Sequence, residues 1–248
     1  MKLLNDVYLI SGSSFGYGHF ADCNVYLVDC GDKLVMIDAG GGIDSTPLIE
    51  NLRDDNFRET DISYIINTHC HYDHAGGNRK IQDLSHCQIM THETGPETFE
   101  KQRAHNPGLQ TYNVDRKLKD NERLRIGRYE FQILHTPGHS NDSICILMDH
   151  ARGKILFSGD TIWPYGQPGV IMEKSDIPTY CKSVERLSKL KIDVLLPGHL
   201  SFILSGGAEH IDHLMTKLSA RWSDFVLFPP HPFFPGSLME RKLKTTKW

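Results

Sequence analysis

The chain has 248 residues, 39% of them hydrophobic and 23% charged, with a net charge of −4. That length supports one sizeable core, and the balance of residues is ordinary for a globular domain. The small net charge gives no broad attraction to nucleic acid or an anionic membrane, and no apolar run approaches a membrane span. After Met1-Lys2-Leu3-Leu4 the chain turns polar, too early for a secretory apolar region, and six cysteines lie scattered without a C-x-x-C pair. Both features fit reduced thiols and a cytoplasmic protein.

From the N-terminus, residues 7–10, 24–28 and 34–37 are β-branched or aromatic runs separated by Gly and Asp, predicting a strand and then a hairpin. Gly16-Tyr17-Gly18-His19-Phe20-Ala21, with Asp38 twenty residues after Gly18, imitates a dinucleotide fingerprint. That fingerprint needs a helix directly after the glycines, and the hairpin expected there argues against it. Phe15, Tyr17 and Phe20 read better as a mobile aromatic lip beside a site further along the chain. Thr46-Pro47 opens a short helix through residue 52, with Thr46 as N-cap. An apolar strand at 64–66, a helix at 78–84 and a strand at 88–90 follow. Residues 91–125 are polar and poorly patterned, and read as helical or loop insertion over the site rather than core.

Strands are expected at 129–134, 144–148 and 155–157, with Gly153 in the turn between the last two. Ser175-Asp176 lead into a helix whose Ile177, Tyr180, Val184, Leu187 and Leu190 keep helical spacing. A buried strand at 194–196 precedes a last helix striped by Ile211, Leu214, Met215, Leu218 and Trp222. Pro229, Pro230, Pro232 and Pro235 make the tail irregular. Its Phe233-Phe234 suits either cover of a core edge or contact with a second copy of the chain, which leaves a homo-oligomer open. The expected organisation is one domain: residues 1–210 as the catalytic unit, with the helix and tail of 211–248 packed on it.

His69-Cys70-His71-Tyr72-Asp73-His74 sets three imidazoles and a carboxylate just past a strand. Alternate residues of an extended chain point the same way, so His69 and His71 can face one ion, with Asp73 and His74 turning toward a neighbour. Imidazole and carboxylate are donors that suit zinc or ferrous iron. Thr136-Pro137-Gly138-His139, Ser158-Gly159-Asp160 and Pro197-Gly198-His199 each follow an expected strand, and each Gly permits a tight turn before a donor. Alone each is weak; in this order, behind the first motif, they form a metal constellation.

This set of motifs resembles the metallo-β-lactamase-fold hydrolase superfamily, and most of all its glyoxalase-II-like and lactonase-like branches. The resemblance runs from Asp38 to His199, about two-thirds of the chain. It implies an α/β fold, a four-layer αββα sandwich of two mixed sheets, with the site at one edge. It further implies that His69, His71 and His139 bind one metal, that Asp73, His74 and His199 bind a second, and that Asp160 bridges both. Asp38 would lie behind the donors and fix an imidazole tautomer.

Two zinc ions, with iron or manganese as alternatives, would share one hydroxide that attacks the carbonyl of a small ester, lactone or thioester. Antibiotic-degrading members lack the bridging carboxylate, flavin-linked di-iron members carry Glu where His71 stands, and nuclease members carry a further large domain. Asp73 and Tyr165 are the candidate catalytic side chains, the latter as a substrate-orienting hydroxyl in the stretch after Asp160. Cys70 should point away from His69 and His71 and serve packing. The glutathione-gripping pattern of glyoxalase II is not evident in residues 200–248. His210 and His213, at helical spacing, suit a weak metal site or, by default, a solvated face. Rival readings are a single-iron oxygenase like the persulfide-oxidising relatives, which use only the first site, and a non-catalytic metal-binding module. A small-molecule substrate is the expected partner.

Overall fold

The computed structural model describes residues 1–169 and 175–219. In chain order, strands β1 (Lys2–Leu4), β2 (Val7–Ser11), β3 (Val25–Asp29) and β4 (Leu34–Ile37) are followed by helix α1 (Thr46–Asp54) and β5 (Ile62–Ile66). Helices α2 (Tyr72–Ala75) and α3 (Asn78–Ser85), β6 (Gln88–His92), α4 (Gly95–His105) and β7 (Arg116–Leu118) come next. These seven strands form one sheet in sequence order, antiparallel through β4 and parallel from β4 to β7.

The second half begins with β8 (Arg123–Ile126), β9 (Tyr129–His135), β10 (Ile144–His150) and β11 (Gly153–Gly159). A small hairpin of β12 (Ile162–Trp163) and β13 (Gln167–Pro168), helix α5 (Ile177–Ser188), β14 (Val194–Pro197) and helix α6 (Gly207–Ser219) follow. The second sheet has five strands in the order β14-β11-β10-β9-β8, with β14 parallel to β11 and the rest antiparallel.

The period-two geometry of strands sorts the side chains into layers. Tyr26, Val28, Ile37, Phe131, Ile144, Ile146 and Phe157 pack between the two sheets. Val25, Leu27 and Met36 face the other way, under Leu48 and Leu52 of α1 and Ile81 of α3. Cys145, Leu147 and Leu156 lie under Tyr180, Val184 and Leu187 of α5 and Ile211 and Leu214 of α6. The result is the expected αββα sandwich. Across its middle layer Tyr26 meets Phe157 at 5.6 Å between ring centroids. Phe157→Ala is therefore expected to cost about 3–5 kcal/mol, read from urea unfolding. A loss near zero would contradict a continuous inner layer.

Most predicted elements form, with shifted ends. Residues 91–125 differ: besides α4 they supply β7 and β8, the end strands of the two sheets, and Leu118 and Leu124 enter the inner core. Thr46 is the first residue of α1 rather than its cap, and its N–H donates to Asp44 Oδ1 at 2.9 Å. Asp176 caps α5 by accepting from Thr179 N–H. A hairpin of β3 and β4 follows the Gly16–Gly18 turn, so the dinucleotide reading lacks its helix. No helix among the described residues is long and apolar enough to cross a membrane. Trp222, His231 and the proline- and Phe-containing tail lie outside the described residues.

Candidate metal centre

The metal-type donors stand at strand ends that open on one edge of the sandwich. His69 follows β5, and His71 is the extended residue that starts α2, so Asp73 and His74 sit in the first turn of that helix. His139 lies between β9 and β10, Asp160 directly follows β11, and His199 lies two residues past β14. Two glycines make this approach possible. Gly138 has φ +142°, and a Cβ there would lie 2.4 Å from the Cα of Tyr180. A Cβ on Gly198 would lie 2.5 Å from Asp160 Oδ1, so only glycine lets that loop pass the carboxylate.

All seven predicted donors converge. His69 Nε2 and His71 Nδ1 are 3.1 Å apart, and His139 Nε2 is 3.2 Å from the first and 3.0 Å from the second. Beside this triangle, Asp73 Oδ2 is 3.1 Å from His199 Nε2 and 3.7 Å from His74 Nε2. Asp160 lies between the groups: Oδ1 is 3.5 Å from His74 Nε2, and Oδ2 is 3.7 Å from His139 Nε2 and 3.6 Å from His199 Nε2. Two donors on one tetrahedral zinc lie about 3.3–3.4 Å apart, which matches these separations. The buried Nε2 of His74 has no hydrogen-bond partner, although two carboxylates stand just beyond bonding range. An orphaned ring nitrogen facing carboxylates fits a divalent cation.

The electrostatics agree. Burial, then the neighbouring imidazoles, hold His69 well below its usual pKa, and burial followed by His139 takes His71 down to about 4. Both rings therefore keep a lone pair for a metal at neutral pH. Burial pushes Asp160 up, but His199 and His74 outweigh it and hold the carboxyl well below its usual range. At His74 burial lowers the pKa, and the acidic groups around it (Cys23, Asp38, Asp73 and Asp160) more than reverse this. Burial raises the Cys23 thiol to about 12, so the three carboxylates supply the negative charge.

Polar contacts aim the donors. Asp38, in the left-handed region at φ 62°, accepts from Thr68 N–H and Thr68 Oγ1, both at 2.7 Å, and from His74 Nδ1 at 2.9 Å. Asp38 thus stands behind His74, where the sequence placed it. Asp142 Oδ2 accepts from the Cys70 N–H at 2.7 Å, tying the His139 loop to the backbone between His69 and His71. Asn24 Nδ2 donates to Pro197 O at 3.0 Å and Leu200 O at 2.9 Å, and the Tyr26 hydroxyl donates to Pro197 O at 2.8 Å. These contacts fix the turn that carries His199.

A family model described as the metallo-beta-lactamase superfamily matches residues 20–199. The chain belongs to this superfamily. A hydroxyacylglutathione hydrolase of Polaromonas sp. is 33% identical over 141 residues, 56% of this chain and 48% of that protein, so the chain spans about half of that relative's length. The acyl-coenzyme A thioesterase MBLAC2 of Bos taurus is 31% identical over 222 residues, 78% of this chain and 77% of that protein. In structure, a metallo-beta-lactamase HARLDQ-motif mutant from Cronobacter sakazakii superposes with a TM-score of 0.72 at 18% identity, covering 92% of this chain and 98% of that one. That likeness supports the sandwich fold.

Other side chains stand around the metallo-beta-lactamase-type donors. Tyr165 is 64% exposed and left-handed at φ 59°; its ring lies against His210, and its N–H donates to His210 Nδ1 at 2.7 Å. None of its contacts reaches a donor, whereas Trp163 Nε1 donates to Asp160 Oδ1 at 3.2 Å. The sequence placed Trp163 beside Tyr165 in the stretch after Asp160 but gave the substrate-orienting role to Tyr165. The His210 and His213 rings stand 6.4 Å apart, and His210 is occupied by Tyr165. The 12–20 loop borders the site through Ser14 Oγ, which accepts from Leu200 N–H, and Phe15, whose ring is 5.5 Å from that of Phe202.

Cys70 points into a small cluster with Ala75, Phe99 and Leu109, as predicted. Burial, then Asp142, holds its thiol well above the usual value. Cys23, Cys30, Cys87 and Cys145 are also buried, and Cys181 is half-buried. A neutral alkylating reagent on the native protein should modify Cys181 quickly and the other five only on unfolding. Peptide mapping that finds Cys70 among the fast thiols would contradict the packing role.

Proposed function

We propose that this chain is a two-metal hydrolase of a small thioester, with esters and lactones as related substrates. His69, His71 and His139 hold one ion, Asp73, His74 and His199 the other, and Asp160 serves both. The observation that carries this reading is the place of Asp160 Oδ2, between His139 of one set and His199 of the other. Two divalent ions there, zinc by the donor chemistry with iron or manganese as alternatives, supply an acidified water and an electrophilic contact for a carbonyl oxygen.

The protein's own groups set the rest. His71, Asp73 and His199 are partly exposed while His69, His74, His139 and Asp160 are buried, so substrate approaches from the side of the first three. Phe15 and Phe202 give that approach an apolar wall. Tyr165, on the exposed turn after Asp160, is the candidate hydroxyl for holding the substrate. Thioesters are favoured because the names of both curated relatives describe hydrolysis of a thioester.

The test is a panel of thioesters, esters and lactones on protein of measured metal content. About two zinc per chain are expected, with thioester cleavage lost on chelation and restored by zinc. About one iron per chain with dioxygen uptake and no hydrolysis would instead establish the oxygenase. A metal-loaded chain inert on the whole panel would leave only a binding module.

A further inference from the structure

We infer that Trp163 is a positioning residue for the metal pair: its indole N–H fastens one oxygen of Asp160 and leaves the other as the atom shared by both donor sets. The inference rests on the two-metal reading above. A carboxylate offers about four lone-pair directions and can rotate to chelate a single ion with both oxygens. Here the two oxygens are unequal. Oδ1 receives Trp163 Nε1 at 3.2 Å and lies near His74, while Oδ2 lies 3.7 Å from His139 Nε2 and 3.6 Å from His199 Nε2. Gly198 closes off the space beside Oδ1, since a Cβ there would come within 2.5 Å of it.

The same indole stands edge-on to His199, with ring centroids 5.3 Å apart at 64°. One side chain therefore touches the shared carboxylate and an imidazole of the second set. Its own place is firm. Trp163 belongs to β12, paired with β13, and the turn between these strands is strapped to α6. Lys217 Nζ donates to Tyr165 O at 2.8 Å and Gly166 O at 2.9 Å, and His210 takes the Tyr165 N–H. The left-handed backbone of Tyr165 gives the turn that sends the chain back along β12. A neutral donor suits this position because it restrains the carboxylate without cancelling the charge that a cation needs.

The test compares zinc binding to metal-free wild type and Trp163→Phe by chelator competition. Removing such a supporting hydrogen bond typically weakens a metal site by about 10–100-fold. Wild type should take up two ions, and W163F should keep the first affinity and bind the second at least about tenfold more weakly. Two ions at unchanged affinities in W163F overturn the inference and leave the two-metal reading standing. A second measurement does not depend on the variant's folding. The chain has three tryptophans, so W222F/W248F leaves Trp163 as the sole indole for a cobalt titration. Its emission should fall as cobalt fills the site. No quenching at either equivalent overturns the inference. Wild type that takes up fewer than two ions refutes the two-metal reading itself, and with it a shared oxygen for Trp163 to position.

Discussion

Asp160→Asn should lower kcat/KM on a thioester substrate by about 10³-fold and reduce the bound metal from two ions toward one. Charge is the reason. Asp160 is buried, ionised, and within 3.7 Å of His74, His139 and His199. The amide keeps the shape but loses the anion, and its NH₂ group has no lone pair for a cation. If Oδ1 keeps its Trp163 contact, NH₂ takes the Oδ2 position between His139 and His199. A second ion supplies several kcal/mol of transition-state stabilisation, and about 4 kcal/mol corresponds to about 10³ in rate. Metal analysis and steady-state kinetics on one preparation check both parts. Wild-type turnover with two ions bound would remove Asp160 from the chemistry.

Asp38→Ala should cost about 3–5 kcal/mol of stability, a large share of the margin of an average domain. Three buried donors, the Thr68 N–H and hydroxyl and His74 Nδ1, lose their acceptor together. Ala is also less at ease than Asp in the left-handed backbone that this position adopts. Asp38→Asn separates fold from site. Asn tolerates that backbone and still accepts from Thr68 N–H through Oδ1, but its NH₂ meets His74 Nδ1. The imidazole must then carry its proton on Nε2, the atom that faces Asp73 and Asp160. D38N should therefore unfold at nearly the wild-type urea concentration yet bind zinc about 10–100-fold more weakly. Equal loss of stability in both variants would refute this division.

The candidate metal centre was legible because four of its donors fall within six residues and the other three each follow a strand and a glycine. Its supports were not. Asn24 and Tyr26 act on a turn more than 170 positions away in the chain, and local patterning holds no trace of such pairs. Trp163 was hidden for the same kind of reason, since the direction of its indole depends on the turn strapped to α6. The fold was legible at most strands marked by apolar runs or by apolar alternation. It failed at Arg116-Lys117-Leu118 and Arg123-Leu124-Arg125-Ile126, whose basic residues suggested a loop. Those charges fit the position of β7 and β8 at the ends of their sheets, where exposed cations discourage further strand pairing.

Each sheet is drawn from one unbroken stretch of sequence, β1 to β7 before residue 119 and β8 to β14 after it. His69, His71, Asp73 and His74 belong to the first stretch, and His139, Asp160 and His199 to the second. A break in the backbone near Lys119 would thus yield two fragments, neither owning a whole ligand set. With the proposed metal pair as the clasp between them, their reassembly should depend on added divalent cation.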